Sequence, residues 1–246
     1  MAYKFFDEFQ GYPAIDSQFT PATATPGLFP FTPGSVAVAE AYDWGGAEFV
    51  FARASAGIRL YGLCVLQPVF DTTLVAYRYD ASEVTNVANQ GRAVYVAMSN
   101  TALTTGQYGW FCVQGVVPIS AAASVAAGVT FGIGGAGQVG ANSAGKQVLN
   151  AVTVAASAAT VVKTLCFGDN GSTIINVPNT QGLFVGAALS GTGVGAGVIT
   201  VIDERNFRIT NSVANTAAIT GTSVTTTFTG FIIAKVNRPG AQGAIT

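Results

Sequence analysis

The sequence of 246 residues is short of charged side chains and has no histidine at all. Only 9% of its residues are charged, whereas an average globular protein has about 25%. Without histidine, the chain lacks the usual general base near neutral pH and the commonest transition-metal ligand. We therefore predict a protein that is not an enzyme and that holds neither a metal ion nor another cofactor.

Basic clusters and long apolar runs are also missing. The formal net charge is −1 with no basic stripe, so a nucleic acid would find few phosphate contacts. Polar residues interrupt the uncharged region 93–145 well before the roughly eighteen apolar residues that a membrane-spanning helix needs. Asp7 and Glu8 stand where a secretory signal would be apolar. We expect no nucleic-acid partner, no membrane segment and synthesis in a cytoplasm.

Cysteine is scarce, and its spacing suits neither a disulfide framework nor a zinc site. Cys64, Cys112 and Cys166 each lie between large apolar residues, and no pair has the CxxC spacing. We predict three buried thiols on strands, where cysteine serves as a small apolar side chain.

Proline and aromatic residues are concentrated at the start of the chain. Residues 1–46 hold five of the nine prolines and ten of the 26 aromatic residues. Prolines at this density disfavour a helix or a central strand, and a disordered tail would be poor in aromatic rings. We predict an extended arm that either folds back over its own domain or docks onto a sister subunit or another protein. The rings expected to make these contacts are Phe5, Phe6, Phe9, Tyr12, Phe19, Phe29 and Phe31.

After the arm, apolar residues recur with a period of two, which is typical of strands. In the first region, 47–160, they predict strands around Phe49 and Phe51 and over residues 61–70, 74–79, 92–98 and 110–117. From 161 to 229 the composition shifts to Thr, Gly, Asn and β-branched residues, which suits half-exposed strands. Candidate strands in this second region are 172–177, 197–202, 206–210 and 223–228.

These patterns predict an all-β fold with four parts. The arm, 1–46, precedes a small β-barrel or sandwich core formed by 47–160 plus 230–238. Residues 161–229 form an inserted, β-sandwich-like module, and the apolar run GFIIAKV that follows it supplies the closing strand of the core. The small residues of 239–246 predict a flexible tail.

Two glycine-rich runs superficially resemble phosphate-binding loops. GTGVGAG at 191–197 is followed by a β pattern instead of a helix, and GIGGAGQVG at 132–140 lacks the Lys-Ser/Thr ending. We predict a β turn for the first and a flexible surface loop for the second. The segment 169–172 carries a turn signal, and the adjacent Asp203 and Glu204 predict a solvated hairpin tip, since catalytic carboxylate pairs face each other across a cleft.

Three phrases between residues 45 and 135 carry a resemblance to a known family. GGAEFVFARASAGIRLYGLCVL, then RAVYVAMSNTALTTGQYGWFCVQGVVPI directly after Gly91, and finally AAASVAAGVTFG together resemble tailed-bacteriophage capsid decoration (cement) or head-fibre-like proteins. The later stretch STIINVPNTQGLFVGAALSGTGVGAGVITVID is similar to a small β module that recurs in phage structural proteins. The module makes the chain longer than simple cement proteins.

The resemblance implies a non-enzymatic virion protein on the outer capsid surface. Its partners would be the major capsid protein and other copies of itself, and we expect a trimer because capsid lattices offer local threefold sites. Low charge suits such a chain, since interface cores are depleted in charged residues. One alternative is a tail or fibre adhesin whose Thr-rich module presents aromatic residues to a host glycan. Another is a glycan-degrading virion enzyme, for which the sequence offers no convincing carboxylate pair.

Overall fold

The computed structural model describes residues 4–5, 35–41, 44–72 and 76–244. Within these ranges the regular structure consists of strands without a helix, so the predicted all-β class is confirmed and no helix there could span a membrane. The strands are β1 (Lys4–Phe5), β2 (Val36–Ala41), β3 (Gly45–Ala54), β4 (Leu63–Asp71), β5 (Ala76–Glu83), β6 (Tyr95–Ala97), β7 (Tyr108–Ser120), β8 (Phe131–Gly135), β9 (Gln138–Ala141), β10 (Val148–Ala155), β11 (Thr160–Gly168), β12 (Ile174–Asn176), β13 (Ala188–Gly191), β14 (Gly197–Asp203), β15 (Arg208–Asn211), β16 (Ile219–Thr227) and β17 (Phe231–Ala241).

The chain forms two compact units. The smaller contains Ser157–Phe231, and the larger contains the described residues before Ser157 together with those from Ile232 onward. Strands β10 and β17 pair antiparallel within the larger unit, with Ala155 opposite Ile233. The chain therefore leaves the larger unit and returns to it at neighbouring positions of one strand pair.

The larger unit is built on a sheet that closes into a ring. β3 pairs in parallel with β5, and the antiparallel pairs β5–β4, β4–β6, β6–β7 and β7–β3 complete a ring of five strands. β2 and β1 continue the sheet beyond β3, and β17 and β10 continue it beyond β7. The predicted flexible tail, 239–246, begins inside β17, where the N–H of Val94 donates to the carbonyl of Pro239 at 2.9 Å.

Strand β3 is buried on both faces, which explains its nearly continuous apolar sequence. On one face Val50, Ala52 and Ala54 join the core cluster. On the other face, Phe51 packs against Trp110 with ring centroids 5.1 Å apart and against Tyr108 at 5.8 Å. This strand organises the core of the larger unit.

The glycine-rich run 132–140 forms the hairpin of β8 and β9 instead of the flexible surface loop that we predicted. Gly134 and Gly140 face each other so closely that a Cβ on Gly134 would lie 2.8 Å from the Cα of Gly140. Gly137 donates from its N–H to the carbonyl of Val84 at 2.8 Å and accepts from the N–H of Leu63 at 2.9 Å. The glycines permit close packing of backbones here.

The smaller unit is a closed six-stranded barrel in the order β11-β12-β15-β14-β13-β16. The long strand β16 pairs with β11 along one edge and with β13 along the other, which makes one barrel where we predicted a sandwich-like module. Phe184 is completely buried in the unit, with its ring 5.0 Å from that of Phe228 and 5.5 Å from that of Phe231. GTGVGAG lies at the turn between β13 and β14, and Asp203 ends β14 at a hairpin, as predicted.

Candidate interaction surfaces

Of the seven rings predicted to contact a partner, one lies on a described residue. The backbone of Phe5 belongs to β1 and lies opposite Ala39 of β2. Phe6, Phe9, Tyr12, Phe19, Phe29 and Phe31 lie outside the described residues. The two alternatives for the arm therefore both stay predictions.

The three cysteine thiols are buried on β4, β7 and β11, which confirms their predicted location. Burial raises the pKa of Cys64, Cys112 and Cys166 above the ordinary value for a thiol. Since the thiolate is the reactive form, these side chains are poor nucleophiles. Across 35–41, 44–72 and 76–244, no group of three Cys, Asp or Glu side chains is arranged to hold a metal ion.

One candidate surface is the outer half of the β4–β5 hairpin, residues 68–71 and 76–79, which we call the aromatic hairpin. At their inner ends β4 pairs also with β6, through Cys64, and β5 pairs also with β3, through Asp80. In the outer half the two strands pair with each other, and no third described strand joins them. A two-stranded ribbon of this kind has only marginal stability by itself in water.

The exposed rings of the aromatic hairpin lie on one face. Phe70 is directly opposite Tyr77, and Pro68 is directly opposite Tyr79. The Phe70 and Tyr77 rings meet edge to face with centroids 5.3 Å apart. Their exposed fractions are 49% for Phe70, 72% for Tyr77 and 38% for Tyr79. Such a contiguous aromatic surface is typical of a protein interaction site.

The opposite face of β5 carries an ion pair. Arg78 Nε lies 2.9 Å from Asp80 Oδ1, and both side chains are mostly buried. Side chains alternate along a strand, so Arg78 and Asp80 point away from the face that carries Tyr77 and Tyr79. The exposed rings and the ion pair therefore lie on opposite faces of β5.

A second candidate surface is an open cavity of about 420 Å³ on the outside of the barrel, which we call the barrel groove. Strands β11, β12 and β15 place Phe167, Asn176 and Arg208 in one row, since Phe167 is opposite Asn176 and Asn176 is opposite Arg208. Ile174 lies on the same face of β12, two residues before Asn176. Asp169 and Ser172, from the predicted turn after β11, and Thr220 of β16 add further polar groups to the lining.

Hydrogen bonds hold the polar side chains of the barrel groove in place. Arg208 Nε donates to Asn176 Oδ1 at 3.1 Å, and the N–H of Ile174 donates to Ser172 Oγ at 3.0 Å. Asp203 lies opposite Arg208 in the β14–β15 pair. Hydrogen bonds from the Asn206 side chain and backbone lower the pKa of Asp203, and attraction to Arg208 lowers it further.

Sequence reasoning missed both surfaces. The alternation Tyr77-Arg78-Tyr79 and the proline inside β4 were available signals, because proline within a strand marks an edge. The barrel groove depends on the alignment of residues 167, 176 and 208, which no local pattern specifies.

Comparisons with known proteins do not assign either surface. No family model matches the chain, and neither a curated protein nor a solved structure matches it.

Proposed function

We propose that this chain is a non-enzymatic virion structural protein that binds the outer surface of a bacteriophage capsid and stabilises it by bridging capsid subunits. The observation that carries the proposal is the aromatic hairpin, whose three rings are exposed on a strand pair without a third described strand. In the sequence the hairpin lies between the first two phrases that resemble capsid decoration proteins, 45–66 and 92–119.

The aromatic hairpin has the chemistry of a protein anchor. Tyrosine and phenylalanine carry a large apolar surface at a small cost in side-chain entropy, and tyrosine adds a hydroxyl for a polar partner. Rings of this kind account for much of the binding energy at protein interfaces. The partner that we propose is the major capsid protein, with the predicted N-terminal arm as a second contact.

Stabilisation would follow from binding alone, without chemistry. A ligand that binds the assembled shell and not its separated subunits favours the shell by mass action. Other copies of the chain, in the proposed trimer, would place several aromatic hairpins on one capsid site and raise the overall affinity. In this role the protein would be made in the host cytoplasm and would end up on the outside of the virion.

The direct test is co-sedimentation of the purified full chain with expanded, undecorated heads of its own phage. Bound copies per capsid subunit are measured against added protein, and heat resistance of the loaded heads is measured in parallel. We expect saturation at a fixed lattice ratio and more heat-resistant heads. Absence of binding would contradict the proposal and would favour the tail or fibre adhesin alternative.

Two side-chain changes sharpen this test. Tyr77→Ala removes the most exposed ring of the aromatic hairpin and should weaken head binding about 10- to 100-fold, which corresponds to roughly 1.4–2.8 kcal/mol. Phe167→Ala, which removes a half-exposed ring from the barrel groove, is the control and should bind heads normally. Equal binding by Tyr77→Ala and the unchanged protein would show that the aromatic hairpin is not the anchor.

A deletion tests the predicted arm separately. Removal of residues 2–33 should abolish capture by heads if the arm docks onto the capsid or a sister subunit. Circular dichroism and tryptophan fluorescence would establish that the shortened protein is folded. Unchanged capture by this folded protein would remove the arm from the proposal and leave the aromatic hairpin as the contact.

A further inference from the structure

We propose that the barrel groove is a binding site for a neutral carbohydrate, in which the Phe167 ring packs on the C–H face of a sugar while Arg208, Asn176 and Asp169 bind its hydroxyl groups. The proposal concerns the smaller unit, and it holds whether or not the aromatic hairpin binds a capsid.

The apolar side of the barrel groove consists of exposed side chains. Phe167 is 51% exposed and Ile174 is 43% exposed, on neighbouring strands of the barrel. The Phe167 ring lies near Gly221, where an added Cβ would be 3.6 Å from the ring. About half of the Phe167 side chain is open to a ligand.

The polar side supplies both donors and acceptors. Arg208 uses its Nε for Asn176, and its terminal amino groups donate no hydrogen bond to a described residue. The Asp169 carboxylate likewise accepts no hydrogen bond from a described residue and can accept from a ligand hydroxyl. Sugar hydroxyls donate and accept, so they satisfy both kinds of group at once. A hydrocarbon ligand would leave these polar groups unpaired, at a cost in free energy.

The charge balance favours a neutral ligand. Arg208 and Asp169 contribute one charge of each sign to the lining, and Asp203 stands opposite Arg208 in the adjacent strand pair. An anionic ligand would be attracted by Arg208 but repelled by the carboxylates of Asp169 and Asp203. A nucleic acid would find a single cation in the groove and thus few phosphate contacts.

The size and construction of the barrel groove suit a small ligand. Its volume of about 420 Å³ falls within the range of roughly 300–1,000 Å³ that is usual for small-molecule sites. Three strands of a closed barrel, and not a loop alone, carry Phe167, Asn176 and Arg208. Their geometry is therefore set before a ligand arrives, which reduces the ordering cost of binding.

The test uses the full chain on an array of immobilised neutral oligosaccharides, with sialylated and uronic-acid-containing oligosaccharides on the same array. We expect reproducible binding to a subset of the neutral glycans. The selected glycan is then titrated in solution into the unchanged protein, Phe167→Ala, Arg208→Ala and Tyr77→Ala. Phe167→Ala and Arg208→Ala should each bind at least 10-fold more weakly, while Tyr77→Ala should bind like the unchanged protein.

Three results would overturn the proposal. The first is a neutral-glycan signal no higher than that of the Phe167→Ala, Arg208→Ala double variant. The second is binding restricted to the acidic glycans, and the third is full affinity in the folded Phe167→Ala protein. Circular dichroism checks the folding of each variant. Because Tyr77→Ala and Phe167→Ala exchange roles between this test and head co-sedimentation, failure of one proposal is distinguishable from failure of the other.

Discussion

Removal of the Phe184 side chain should destabilise the barrel more than any change on its surface. In Phe184→Ala, the barrel core loses a completely buried ring that packs against Phe228 and Phe231. Replacement of a buried phenylalanine by alanine costs about 3–5 kcal/mol, because the lost transfer free energy is joined by the cost of a cavity. A unit of 75 residues, Ser157–Phe231, has a total stability of roughly 4–11 kcal/mol.

Native-state hydrogen exchange measures this effect strand by strand. A loss of about 3–5 kcal/mol should speed exchange of the most protected amides in β11–β16 by roughly a hundred-fold to several thousand-fold. Both tryptophans, Trp44 and Trp110, belong to the larger unit, so tryptophan fluorescence in urea follows that unit alone. We expect Phe184→Ala and the unchanged protein to have the same urea midpoint by tryptophan fluorescence.

Phe167→Ala is the matched control, since it makes the same chemical change on the outside of the same barrel. Its ring is half exposed, so we expect a loss of less than about 1 kcal/mol. Acceleration of barrel exchange by less than 10-fold in Phe184→Ala would refute the assignment of Phe184 to the centre of the core. Equal acceleration in β3 and β7 would refute the division into two cores.

Three further predictions concern buried and charged side chains. Iodoacetamide at neutral pH should not label the three buried thiols of the native protein, whereas mass spectrometry should detect three labels on the urea-unfolded protein. Rapid labelling of the native protein would contradict the burial of the thiols. Thr226→Val removes a buried hydroxyl that lacks a described hydrogen-bond partner, and it should raise the free energy of unfolding in urea by about 1 kcal/mol. As a control, Thr220→Val changes an exposed residue and should change that free energy by less than about 0.5 kcal/mol. Asn206→Ala should raise the pKa of Asp203 toward its ordinary value in a carboxyl NMR titration. Because the folded pKa of Asp203 is lowered, the stability that Asn206 contributes is present above the ordinary pKa of aspartate and is lost as the pH falls through the folded value; an unchanged titration would assign the shift to another group.

Local patterns predicted the strands well where one or both faces are apolar. The segment 110–117 lies inside β7, and the predicted strand 197–202 matches β14 closely. The turn at 169–172 and the hairpin tip at Asp203 and Glu204 were also readable, because Asp, Asn and Gly favour these conformations. The strand predicted over 206–210 begins two residues before β15. Strands β11 and β13 were missed, since their exposed apolar residues do not alternate cleanly with polar ones.

The hairpin of β8 and β9 shows why composition misled. Glycine is common both in mobile loops and where two backbones approach closely, and only the surroundings distinguish these cases. Gly137 is hydrogen-bonded to the backbones of Leu63 and Val84, which are far from it in the sequence. The same limit applied to the barrel groove, whose members are brought together by strand register, a property that depends on the whole barrel.

The pairing of Ala155 with Ile233 has a consequence for how this chain can be altered. These two positions face each other across adjacent antiparallel strands, so a short turn could join β10 to β17 directly in place of the 75 residues of Ser157–Phe231. A loop-length change of that order alters the closure entropy by only a few kcal/mol. The junction is thus a permissive graft point, at which a foreign domain with neighbouring termini could replace the barrel and be displayed on the same scaffold.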